Sequence, residues 1–231
     1  MRNILIIKCG DTYSDIKEEL GSFDDWVIEQ TNLPENVFKI FDLEKGDKLR
    51  HPGEYIAAII TGSHANVDEK HAWIKHLEDW IITAQYTNTH LLGICFGHQI
   101  LAKALGGTVE KNPNGLNIGM KNIELSKEGK QDLLFKNTPH NSQNYFLHNY
   151  RVINAPLNAS ILASNNQGGI ECFKVGKSYG VQFHPEFTSD ILNYYIDQFK
   201  EDGTLSKGDK IKIKTIKQNL ISDFLDISLK F

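Results

Sequence analysis

The sequence lacks most of the features that would mark it for the cell exterior, a membrane or a nucleic acid. Three cysteines in 231 residues, Cys9, Cys95 and Cys172, lie far apart. An odd number at wide spacing excludes a disulfide framework and a zinc knuckle. No metal ligand set is legible elsewhere: His71 and His76 stand five apart, so they do not share a helix face, and His51 and His140 carry no pattern. No apolar run approaches the roughly 20 residues that cross a bilayer, and residues 56–60 and 91–95 are strand-sized. The apolar run at 4–7 is too short for a signal-peptide core and ends at Lys8. Lys plus Arg (25) do not outnumber Asp plus Glu (29), and the formal charge of −4 gives no broad basic field for nucleic acid. With 40% apolar and 23% charged residues, disorder, collagen and coiled coil are excluded. These absences predict a cytoplasmic globular protein with reduced thiols, no cofactor motif, and no signature of a particular oligomeric state.

The pattern present is an alternation of short apolar runs and longer amphipathic stretches. Strands are predicted at Asn3–Lys8, 37–43, 55–61 and His90–Ile94, with helices at 14–30, 68–84 and 97–105. In the first helix Ile16, Leu20, Trp26 and Val27 form the inner face; in the second, Trp73, Leu77, Trp80, Ile81 and Ala84 do. Gly106-Gly107 stops the third. Such alternation predicts an α/β fold, a mostly parallel central sheet with helices on both faces. From 108 to 182 short strands and turns such as Asn112-Pro113-Asn114-Gly115 predict a small antiparallel excursion that rejoins the main sheet near 179–183. A closing helix follows at 190–200. The length predicts one domain, residues 1–200, with an appendage at 201–231. That appendage begins basic (Lys207, Lys210, Lys212, Lys214, Lys217) and ends amphipathic. It reads as a helix packed on the domain, or alternatively as a docking element.

The most informative segment is Leu91-Leu92-Gly93-Ile94-Cys95-Phe96-Gly97-His98-Gln99. An apolar strand runs straight into Gly-x-Cys-x-Gly and a helix, the thiol version of a nucleophile elbow. A sharp strand-to-helix turn strains the nucleophile's backbone, and the flanking glycines avoid collisions across it. The turn puts Cys95 at a helix N-terminus, which favours a thiolate, and aims the Phe96 amide at an oxyanion forming beside the sulfur. A buried structural cysteine between packing glycines is the competing reading. A thiolate nucleophile needs a base. His184, in Gly180-Val181-Gln182-Phe183-His184-Pro185-Glu186, follows an apolar strand and so sits at the C-terminal sheet edge where ligands gather. Glu186 can orient its imidazole as the acid of a triad; a turn with a solvated Glu is the alternative. His98, next to the elbow, reads as a packing residue.

The elbow and the distal Gln182–Glu186 segment resemble the two signatures of the class I glutamine amidotransferases. Ile59-Ile60-Thr61-Gly62-Ser63 resembles that family's oxyanion loop, and the resemblance runs from Ile4 to about Phe199. It is strongest to stand-alone proteins similar to the amidotransferase domain of GMP synthase, through the segments 21–26 and 101–107. The resemblance implies a flavodoxin-like fold of the class I amidotransferase type. It implies that Cys95 attacks a glutamine side-chain amide, that His184 moves the protons and Glu186 holds His184, and that the amides of Gly62 and Phe96 bind the oxyanion. It further implies that Gln99 and the backbone of His148, Asn149 and Tyr150 contact the substrate. Many relatives show Ser-His-Gly-Asp where this chain has Leu147-His148-Asn149-Tyr150. Neither a Walker-type loop nor a Ser-Gly-Gly-x-Asp-Ser run is present, so the expectation is either a separate ammonia-accepting synthetase partner or no acceptor at all. Hydrolysis of other γ-glutamyl bonds, as by a γ-glutamyl peptidase, uses identical chemistry and stays open. So does a non-catalytic regulatory module with this fold.

Overall fold

The computed structural model describes residues 3–139, 142–217 and 219–230; His140 lies outside them. Strands β1 (Asn3–Lys8), β2 (Phe38–Asp42), β3 (Tyr55–Ile60) and β4 (His90–Ile94) alternate with helices α1 (Ser14–Leu20), α2 (Phe23–Glu29), α3 (Ala72–Ala84) and α4 (Phe96–Ala104). Then follow β5 (Thr108–Lys111), β6 (Asn117–Asn122), β7 (Glu124–Leu125), β8 (Gln143–His148), β9 (Tyr150–Asn154), β10 (Ser160–Ser164), β11 (Ile170–Val175) and β12 (Ser178–Val181), and last α5 (Ser189–Glu201) and α6 (Leu220–Leu229). The main sheet has the order β2-β1-β3-β4-β12-β11-β10-β7. Its first five strands are parallel, and β11, β10 and β7 add antiparallel.

Period-two alternation explains why the strands are apolar throughout. Ile4, Ile6, Leu92 and Ile94 enter one core, which α6 closes with Leu220, Ile221, Phe224 and Leu225. Leu5, Ile7 and Leu91 enter the opposite core, covered by Leu77 and Ile81 of α3 and Ile100 and Leu101 of α4. Each face is therefore dry, as a parallel sheet requires. A third cluster joins Ile16, Phe23, Trp26, Phe187, Ile191 and Tyr195. Along 210–217 the isoleucines 211, 213 and 216 lean on that cluster while the lysines stay exposed.

Two expectations are corrected. The helix expected at 14–30 is two helices, because Gly21 turns the chain at φ 78° and the Ser22 amide restarts it by donating to the Asp25 carboxylate at 2.9 Å. The helix expected from 68 starts at Ala72. Before it, Glu69 accepts from both the backbone and side-chain amides of Asn66 (3.0 and 2.8 Å), which holds a turn. Its register places Ile74 inside and leaves Trp73 half-buried. The expected antiparallel excursion is present: β5–β9 and β6–β8 form separate ribbons, while β7, β10 and β11 extend the main sheet. No helix among the described residues is long and apolar enough to cross a membrane.

Candidate active site

Parallel pairing of β4 with β12, Ile94 against Val181, delivers Cys95 and Gln182 side by side at one sheet edge. The Cys95 amide donates to the Val181 carbonyl at 2.9 Å. Cys95 adopts φ 51° and ψ −98°, a conformation of the kind that costs about 1–3 kcal/mol in a non-glycine residue. The surroundings force it. A Cβ on Gly93 would lie 2.3 Å from the Gly97 carbonyl oxygen, and one on Gly97 would lie 2.3 Å from the Ile60 carbonyl oxygen. The strand-to-helix turn closes only because both positions lack a side chain. Cys95 is the residue before α4, whose first amides have no intrahelical acceptor.

His184 follows β12 and is fixed on three sides. Its amide donates to Tyr145 O at 2.8 Å. Its ring stacks on Phe187, centroids 4.0 Å apart at 17°. Its Nδ1 lies 2.7 Å from Glu186 Oε1, both residues buried. Burial works to lower the His184 imidazole; the charges of Glu186 and Cys95, and a hydrogen bond to the Cys95 side chain, outweigh it and raise it to about 10. The geometry therefore favours an imidazolium beside the sulfur at neutral pH. Gly62 reaches the same place from β3. A Cβ there would sit 3.3 Å from His184 Cε1 and 3.2 Å from the Phe23 ring. The loop is pinned by Thr61, whose hydroxyl donates to Gly62 O (2.9 Å) and accepts from the Cys9 amide (3.0 Å).

Beside Cys95 opens a cavity of about 170 Å³. One wall is Cys95, Phe96, Gln99, Leu116, Leu147, His148, Asn149 and Tyr150; the other is Tyr13, Ser63, His64, Ala65, Asn66, Tyr195 and Phe199. None of these is Asp, Glu, Lys or Arg. Gln99 Nε2 donates to Tyr150 O (2.9 Å) and Gln182 Oε1 (3.2 Å). His148 donates from Nδ1 to Tyr150 O (2.7 Å) and accepts the Asn117 side-chain amide at Nε2 (2.8 Å). Burial holds His148 down to about 3, so it is neutral. The Leu147 carbonyl accepts from Cys95 Sγ (3.5 Å) and His184 Nε2 (3.3 Å), and Asn149 O accepts from the Asn112 amide (2.7 Å). The carbonyls of this loop thus serve protein donors.

Sequence reasoning missed the second wall. Tyr195 OH lies 2.6 Å from Thr12 Oγ1 and 3.1 Å from His64 Nε2, tying α5 to the loops after β1 and β3. The signal available was topological: parallel strands β1, β3 and β4 end at one edge, so the residues just after β1 and β3 face the elbow. The remaining candidates lie elsewhere. His98 donates to Ile170 O at 3.0 Å, and burial pushes it down to about 3. Cys9 and Cys172 are fully buried, which raises both thiols. His71 and His76 line a separate surface groove with Trp73 and Trp80. Among the described residues no group of three or more His, Cys, Asp or Glu is placed to hold a metal ion.

Residues 47–200 match the family model described as glutamine amidotransferase class-I. The chain is 31% identical to gamma-glutamyl peptidase 4 of Arabidopsis thaliana, over 82% of this chain and 72% of that protein. It is 42% identical to a glutamine-hydrolyzing GMP synthase component of Methanococcus aeolicus, over 42% of this chain and 50% of that protein. A crystal structure of a glutamine amidotransferase from Thermotoga maritima superposes with a TM-score of 0.77 at 24% identity, covering 99% of this chain and 98% of the other, a likeness of fold.

Proposed function

The chain belongs to the class-I glutamine amidotransferases, and from that premise we propose that it hydrolyses a glutamine-type γ-carboxamide through a thioester on Cys95. The Cys95 thiolate attacks the amide carbon, and the carbonyl electrons move onto oxygen, held by the amides of Gly62 and Phe96. The His184 imidazolium gives its proton to the amide nitrogen, the C–N bond breaks, and ammonia leaves a γ-glutamyl thioester. Water then attacks that thioester as neutral His184 takes its proton. The second tetrahedral adduct expels the thiolate, and glutamate departs. Glu186 stabilises the imidazolium in both half-reactions. Gln99, His148, Asn149 and Tyr150 line the space beside Cys95 that the substrate would fill.

The observation that carries this reading is the buried 2.7 Å contact between His184 Nδ1 and Glu186 Oε1, with His184 Nε2 and Cys95 Sγ meeting at the Leu147 carbonyl, 3.3 and 3.5 Å from it. All the residues given a role fall within 1–200, and we propose that this span is the catalytic domain and that 201–231 supports it from outside. Where the ammonia is used, the acceptor chemistry belongs to a separate synthetase.

A second reading, cleavage of γ-glutamyl conjugates, is favoured by the apolar surface that Leu116, Tyr195 and Phe199 add to the cavity lining, which suits a leaving amine bulkier than ammonia. The experiment is a mass-spectrometric search for the acyl-enzyme with glutamine and a set of γ-glutamyl amides. A γ-glutamyl adduct on Cys95, lost in Cys95→Ala, supports the mechanism; no adduct with any of them removes it.

A further inference from the structure

We propose that Gln182 is a further residue of the reaction: its side-chain amide donates to the Cys95 sulfur and supports the sulfur in its ionised form, and Gln99 is the positioning residue that aims that amide. The proposal rests on the reading of Cys95 as the nucleophile and adds a partner to it.

Gln182 Nε2 lies 3.8 Å from Cys95 Sγ, and Gln182 is 1% exposed. The backbones of both residues are tied to the sheet. The Cys95 amide donates to Val181 O and the Gln182 amide to Glu171 O, each at 2.9 Å. The direction of the Gln182 carboxamide follows from its neighbours. The Tyr150 carbonyl can only accept, so the end of Gln99 that meets it at 2.9 Å is the nitrogen. That same nitrogen stands 3.2 Å from the Gln182 side chain, so the Gln182 atom facing it is the oxygen. The Gln182 nitrogen is thereby turned to the sulfur. Among the described residues Cys95 Sγ is the one acceptor it has, and a buried donor deprived of its acceptor is costly.

What that donor does depends on the state of the sulfur. A protonated Cys95 gives its S–H to Leu147 O at 3.5 Å and asks little of Gln182. An ionised Cys95 has no proton to give, and the same carbonyl then turns its lone pairs toward an anion. The groups that compensate are the His184 imidazolium and the Gln182 N–H. A hydrogen bond to a charged atom is shorter and stronger than one to a neutral atom, so the Gln182 contact favours the thiolate over the thiol. The other titratable groups around the sulfur do not take this part. Glu186 stands behind His184 and is itself an acceptor. Burial lowers His148 and His64, which leaves both neutral. Burial raises the Tyr195 hydroxyl, which is held by Thr12 and His64. Gln182 therefore extends toward lower pH the range over which the sulfur stays ionised. Through Gln99 its aim is set by the Tyr150 carbonyl, on the loop that lines the cavity.

The test is the pH profile of Cys95 alkylation by iodoacetamide, which needs no substrate, with the ultraviolet absorbance of the thiolate followed over the same range. Gln182→Met keeps the length of the side chain and removes the donor. Its acid limb is expected to move up by about one pH unit, as loss of one hydrogen bond to a charged group implies, while the plateau rate stays within about threefold of native. Gln99→Met frees the Gln182 amide to turn, and it should shift the limb the same way by a smaller amount. An unmoved limb in a Gln182→Met protein that melts like the native one overturns the proposal. So does a rate reduced by one factor at every pH, which is what a merely structural role gives. Should Gln182→Met fail to give a cooperative melt, Gln99→Met decides, and an unmoved limb there overturns the proposal. A γ-glutamyl adduct on Cys95 together with an unmoved limb removes the role of Gln182 and leaves the amidase reading standing. No adduct with any amide removes the amidase reading and this proposal with it.

Discussion

Replacing Glu186 with Gln keeps the shape of the side chain and removes the charge that faces His184 at 2.7 Å. In the native protein burial lowers the imidazole, and Glu186 is the first of the interactions that reverse this and lift it to about 10. Without the carboxylate, burial has the larger say, and the imidazole falls back toward or below its ordinary value near 6.5. A fall of that size amounts to roughly 5 kcal/mol of proton affinity as an upper bound. At about pH 7.5 the native sulfur has a cation beside it, whereas in Glu186→Gln most of the imidazole is neutral. The assay is the rate of Cys95 alkylation by iodoacetamide across about pH 6–10, with kcat/KM measured in parallel on whichever amide proves to be a substrate. The native protein should show a broad reactive plateau. The variant should lose about 10²–10³-fold in kcat/KM, the span typical of one acid–base group, and its alkylation rate should fall most where the native imidazolium is fullest. If both quantities stay within about threefold of native across the range, Glu186 does not control the His184 proton, and the roles assigned to the pair are wrong.

Gly97→Ala should cost about 3 kcal/mol or more, read by denaturant melts, because its methyl would press on the Ile60 carbonyl oxygen with backbone on both sides. Cys95→Gly should abolish turnover yet melt higher, by about 1–3 kcal/mol, since it releases the strained φ of 51°; a variant less stable than native would show that the turn is not strained. Glu171 is buried, and burial raises it to about 7. A raised acid contributes most below its unfolded value near 4.5 and loses that contribution as pH climbs through 7, so Glu171→Gln should gain roughly 3 kcal/mol over native at pH 8 and much less at pH 5. His184 is raised as well, so the stability from its pairing is complete below about 6.5 and is lost as pH rises through about 10; the native melting temperature should fall over that interval more steeply than that of Glu186→Gln.

The parts of the site that were readable in the sequence are those whose chemistry is local. The elbow announces itself because backbone sterics demand glycine on both sides of Cys95, and His184 and Glu186 are two residues apart on one strand end. The strands were readable because burial on both faces makes each a continuous apolar run. The break at Gly21 was hidden because the apolar spacing of Ile16, Leu20, Trp26 and Val27 continues across it, while a single glycine with an Asp three residues past Ser22 is a weak sign beside that pattern. The wall of Tyr13, His64 and Tyr195 was hidden for another reason. Its members come from three distant segments joined by hydrogen bonds between side chains, and no spacing along the chain encodes such a meeting.

The sheet order places β4 directly beside β12, although the whole region from β5 to β11 is threaded between them in the chain. During synthesis this means that Cys95 leaves the ribosome long before the strand that carries His184. At about 5–20 residues per second the delay is on the order of 5–20 s. Throughout that interval the elbow has no β12 neighbour, and the residue proposed as the base of its sulfur has yet to be made. The proposed site can assemble only when the late strand docks, because the pairing of β4 with β12 is what brings Cys95 and Gln182 together.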